Sequence, residues 1–202
     1  DHPFDYFDGV LGRIEDIRTS ERRFYQKITD IYATAVDYDP TQDISLTFFK
    51  TVQNKLHWAV TGQTAAEIIH DRADHAKPNM GLTNWRGDKV RKHDVTIAKN
   101  YLNEQELAAL NNLVEQYLIY AEGQAMRGVA MRMHDWIAKL DGFLRLNDRD
   151  ILSHAGTISH DLALQHAETQ YDAFRQQRLK DEAGRPDDFE RSLQSMASAF
   201  GE

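Results

Sequence analysis

The stretch ISLTFFKTVQNKLHWAV, residues 44–60, places apolar side chains at Ile44, Phe48, Val52, Leu56 and Val60. Residues four apart lie nearly above one another on an α-helix, so this step of four builds one continuous apolar face. Gly62 follows as the expected stop. Strand-like alternation is absent here and along the rest of the chain. The expected class is therefore all-α, a single helical domain of about six to eight helices.

Upstream, apolar residues recur with a heptad period, Phe7, Ile14, Ile28 and Ala35 in one series and Val10, Ile17, Phe24 and Ile31 in the other. This predicts a long amphipathic helical arm over residues 1–36. Its seam, broken at Glu21, suits either pairing with a second copy as a homodimer or packing across the chain's own core. Asp37-Tyr-Asp-Pro40 is the expected turn out of the arm, with Asp capping the helix that follows.

Downstream, Thr64-Ala-Ala-Glu67 is a capping box opening a short helix to about Ala76, which Pro78 stops. Then comes KPNMGLTNWRGDKVRKH, residues 77–93, too long and too basic for an ordinary connector. Met80, Leu82, Trp85 and Val90 imply a loop that packs down, while Lys77, Arg86, Lys89, Arg91 and Lys92 offer positive charge to a phosphate or another anion. Asp94 is the expected cap of a helix over residues 95–102. Asn103 and Glu106 start the next, through Leu110, Val114 and Tyr117, with Gly123 and Gly128 closing it. Further helices are expected around Trp136, Leu140 and Leu144, over residues 148–154, and over residues 158–174. The helical core spans 37–180, and residues 181–202, with Gly184, Pro186 and an acidic run, are expected to form a mobile tail.

The composition narrows function by exclusion. With 202 residues and a net charge of −8, the chain does not coat nucleic acid by bulk charge, although a local basic patch can still bind it. Without cysteine there are no disulfides, zinc fingers or thiol nucleophiles. No apolar run is long enough for a membrane span and no secretory leader opens the sequence, so a cytoplasmic protein without a membrane partner is expected. Because Asp1 runs almost directly into a helical pattern, the sequence reads as part of a longer protein.

Few motifs carry chemistry. Glu67 and His70 have the spacing used in di-iron bundles, but no second such pair exists, and no metal is expected. His70/Asp74 and Asp71/His75 read as solvated charge pairs. Phosphate loops, dinucleotide fingerprints and nucleophile elbows are missing, and the sequence leaves any cofactor unknown. Arg86-Gly-Asp88 matches an adhesion tripeptide, a length at which chance matches are common.

Several longer strings are distinctive: Arg23-Phe-Tyr-Gln-Lys-Ile-Thr-Asp-Ile-Tyr32, Val52-Gln-Asn-Lys-Leu-His57, Thr64-Ala-Ala-Glu-Ile-Ile69, Lys77-Pro-Asn-Met-Gly-Leu-Thr83 and Thr96-Ile-Ala-Lys-Asn-Tyr-Leu102. Through these the chain resembles the C-terminal region of the RhuM family of bacterial virulence-associated proteins. The resemblance implies an upstream DNA-binding segment in full-length members, and hence an effector or accessory role for this region. Similar upstream segments precede Fic-type domains, but the Fic signature is absent here and that activity is not carried over.

The matching strings are rich in polar residues, which suggests a pocket. His57 and Glu67 are the candidate base and its orienter, with Arg72, Lys77, Trp85, Lys89, Lys99 and Asn100 as binding residues and Thr64, Asp74 and Asp94 in structural roles. An internal salt-bridge network fixing the loop accounts for the same residues. Two functions follow: a domain acting on a nucleotide or nucleic-acid phosphate, or a non-enzymatic oligomerisation and protein-interaction module beside an upstream DNA-binding segment.

Overall fold

The structure, a computed structural model, describes residues 31–39 and 43–183, with side-chain surroundings for 31–39 and 47–181. Among the described residues every regular element is helical. The α-helices are α1 Asp43–Thr61, α2 Ala65–Arg72, α3 Glu104–Met126, α4 Met133–Leu146 and α5 His160–Ala183, with 3-10 turns at Pro78–Gly81, Asp94–Thr96 and Ala98–Tyr101. The N-terminal arm up to residue 30, its pairing seam and the tail beyond residue 183 lie outside the described residues.

Helix α1 buries Phe48, Val52 and Leu56 along its apolar face, and Gly62 ends it at a φ of +70°. It packs on α3 and α4, where Leu110, Val114, Tyr117, Leu118, Trp136, Leu140 and Leu144 complete one core. Each such side chain contributes roughly 1.5–3 kcal/mol on burial. Tyr32 meets Phe48 edge-on at 4.5 Å between ring centroids, and the Tyr117 hydroxyl donates to the Trp136 carbonyl at 2.6 Å. Lys55 on α1 pairs with both oxygens of Asp141 on α4 at 2.9 and 3.1 Å. Asp37 does cap a helix, but a distant one: its Oδ1 accepts from the Met133 amide at the start of α4, 2.8 Å away.

On the other side, α2 lies between α5 and the Ala98–Tyr101 turn. Helix α5 is mostly polar, and its fully buried residues are small, Ala163 and Ala167. Small side chains let α2 approach closely.

Several expected boundaries differ. Helix α2 stops at Arg72, not near Ala76, because Ala73 turns extended and the Asp74 amide bonds to the Met80 carbonyl. Helix α3 runs through Gly123 to Met126, with Gly128 in the turn beyond at φ +65°. Residues 148–154 form no helix: Asp148 sits at φ +54° and leads into an irregular strap.

The expected helix over residues 95–102 is instead two 3-10 turns broken by an extended Ile97. The cause is competition from side chains. Asn100 Nδ2 donates to the Asp94 carbonyl at 2.9 Å, and the Tyr101 hydroxyl donates to the Val95 carbonyl at 2.8 Å. Those are carbonyls that an α-helix would have used itself.

Candidate functional site

The loop over residues 77–93 is held at its apolar points. Met80, Leu82 and Val90 are buried, and Trp85 is half-buried against the core. Three successive left-handed residues, Asn79, Met80 and Gly81, turn it back under α2. Thr83 then pins it, its amide donating to the Asn100 carbonyl at 2.8 Å and its hydroxyl to the Leu102 carbonyl at 2.5 Å. Asp94 completes the frame by accepting from the Arg91 amide at 2.9 Å.

This frame opens a cavity of about 360 Å³ lined by Asn84, Trp85, Arg86, His93, Asp94, Ile97, Lys99 and Asn100. Of the binding residues expected from sequence, Trp85, Lys99 and Asn100 come together here. Asn100 is buried and its amide also holds the Asp94 carbonyl, so its contribution is to shape the floor. Asn84 and His93 are lining residues that sequence reasoning did not single out, although both lie in the basic string itself.

A second cleft, of about 470 Å³, lies across Ile97 and contains His57 and Thr64. His57 is 2 % exposed. Burial foremost, with the neighbouring Arg72 charge adding and Glu106 opposing, pushes its pKa down to about 4. The imidazole is therefore neutral near pH 7.

The remaining candidates belong to the scaffold. Glu67 takes the Thr64 amide at 2.8 Å on one oxygen, and the Thr157 amide and hydroxyl at 2.7 and 2.8 Å on the other. Burial acts to raise its pKa, but these hydrogen bonds outweigh it and hold the carboxyl below its usual range. Glu67 is thus a latch for the strap over residues 153–159, and the base-and-orienter arrangement with His57 is not the one observed. Gly156 is needed beneath that latch: a Cβ there would sit 2.9 Å from the Thr64 methyl and 3.2 Å from Glu67 Oε1, at φ +85°.

Arg72 is a clamp. Its guanidinium binds Glu106 in bidentate fashion at 2.7 and 2.9 Å, and reaches the Tyr101 carbonyl at 3.0 Å and Gln63 at 3.2 Å. Glu106 also accepts from the Asn103 amide, so one carboxylate caps α3 and fastens α2 to it. The Arg72 hydrogen bond is the main reason that the Glu106 carboxyl is held below its usual range. Arg72→Met leaves Glu106 and Gln63 without this partner in a partly buried place, and we expect a loss of about 2 kcal/mol in urea unfolding. An unchanged midpoint would show that the clamp is ornamental.

Lys77 reaches Asp74 at 4.0 Å, Asp74 accepts from the Ala76 amide, and Lys89 is exposed; none of the three lines either cleft. Among the described residues no group of three or more His, Asp or Glu side chains is placed to hold a metal, and no helix is long and apolar enough to cross a membrane.

The profile of the Virulence protein RhuM family matches residues 1–182. The chain belongs to the RhuM family. No curated protein and no solved structure matches it. In this RhuM family member the match spans both clefts, the Arg72–Glu106 clamp and the Glu67 latch.

Proposed function

We propose that the Trp85 cleft binds a nucleotide unit, a phosphate beside an aromatic base, and that this region serves a virulence-associated protein as a ligand-binding effector domain. The observation that carries this reading is the convergence of Trp85, Arg86, His93 and Lys99 on one cavity. Residues 77–99 hold six Lys and Arg against two Asp, in a chain whose net charge is −8. An anion approaching this acidic protein is therefore drawn to that edge. The half-buried Trp85 offers a face for stacking, and Arg86, exposed and without an ion pair among the described residues, offers planar donors to phosphate. Glu67 and Arg72, committed to the scaffold, leave the reading one of binding.

Fluorescence anisotropy of a labelled oligo-dT, competed with ATP, tests it. Trp85→Ala and Lys99→Ala are each expected to weaken binding about tenfold, the scale of one stacked base or one phosphate contact, with affinity falling as salt rises. Binding indifferent to both substitutions, or none for either probe, would remove the proposal.

A further inference from the structure

The His57 cleft has a different chemistry from the Trp85 cleft. Its walls are apolar, with Ile69, Ile97 and Ile158 among them, and no Asp or Glu lines it, in a chain with 32 acidic residues. Lys50, exposed, is its one lysine or arginine among the described residues.

Asn54 and Ser159, which line it, have their accepting side occupied by backbone, whereas Thr96 gives its hydrogen to the His93 carbonyl at 2.9 Å. Asn54 Oδ1 accepts from the Ala65 amide at 3.0 Å, which fixes the side-chain amide and leaves its NH₂ as the donor. Ser159 Oγ accepts from the Leu162 amide at 3.2 Å, and its hydroxyl keeps its own hydrogen to give. Donors at Asn54 and Ser159 beside one cation, against apolar walls, call for an acceptor-rich head on an apolar body. One lysine balances a single negative charge; a doubly charged phosphate would be left half-compensated. A neutral alcohol could accept from the lysine but would leave its charge uncompensated. The volume, about 470 Å³, is that of a small-molecule site.

We propose that this cleft is a second binding site, for a small organic monocarboxylate with an apolar tail, separate from the Trp85 cleft. His57, buried and neutral, is part of its floor and brings no charge to it.

Isothermal titration of the 202-residue chain with octanoate, octanol and inorganic phosphate tests it. Octanoate should bind at least about tenfold more tightly than either comparison ligand, the worth of roughly one charge-assisted contact. Lys50→Glu, on an exposed residue, should weaken octanoate about fivefold and leave octanol unchanged. Ala155→Trp, at an exposed position on the strap that lines the cleft, should abolish octanoate binding, while Trp85→Ala should not affect it. Circular dichroism melts confirm that the variants fold. Equal binding of octanol, tighter binding of phosphate, octanoate binding that survives Ala155→Trp or ignores Lys50→Glu, or no heat from octanoate would each overturn the proposal. Because Trp85→Ala is included, failure here and failure of the nucleotide site are read separately.

Discussion

Gly81→Ala is expected to destabilise the folded chain by about 4 kcal/mol, from left-handed backbone strain and a clash acting together. Gly81 has φ +80°, and a Cβ built on it would lie 2.4 Å from the Arg72 carbonyl oxygen. That oxygen is backbone at the end of α2 and cannot swing aside as a flexible side chain would. Asn79 and Met80 are already left-handed, at φ 52° and 62°, so the turn has little freedom to relax. Relaxation would also pull on Met80, fully buried, and Leu82, 5 % exposed, and through them on the frame of the Trp85 cleft. Gly123→Ala is the matching control. It lies inside α3 with nothing within 4 Å of its Cβ, and should stabilise by roughly 0.5–1 kcal/mol, as alanine does in a helix interior. Paired urea titrations of the two variants measure both signs, and equal midpoints would refute the account of this turn.

The second large effect is a dependence on pH. A histidine with an unfolded pKa near 6.5 and a folded value of about 4 binds its proton more readily in the unfolded chain. Its contribution is complete above about pH 6.5 and is lost progressively as the pH falls to about 4, on the order of 3 kcal/mol in total. Glu67 and Glu106, whose folded pKa values are depressed, act in a lower window: their contributions are present above about 4.5 and are lost below it. His57→Gln should therefore flatten the limb between pH 6.5 and 4 and leave the lower one in place. A His57→Gln profile parallel to that of the parent chain would contradict the buried neutral imidazole.

The sequence disclosed the local devices and concealed their second uses. Both capping boxes were legible, because Thr64 with Glu67 and Asn103 with Glu106 stand at the required spacing. Nothing local announced that Glu67 would also hold Thr157, 90 residues away, or that Glu106 would also hold Arg72. The packed loop was legible from four apolar residues inside a basic string. The broken helix over residues 95–102 was not, since its cause is the reach of Asn100 and Tyr101 back to the carbonyls of Asp94 and Val95. For the same reason one expected pocket became two: the extended Ile97 stands as a wall, with Lys99 on one side and His57 on the other.

The chain has three tryptophans, Trp58, Trp85 and Trp136, and hence three indole N–H resonances. Following them by ¹⁵N-correlated NMR while oligo-dT is added tests the nucleotide reading most directly. The Trp85 signal should move saturably, and that of Trp136, 2 % exposed in the core, should stay in place. A Trp85 resonance that remains still at saturating oligonucleotide, or moves no further than that of Trp136, would contradict the proposed site.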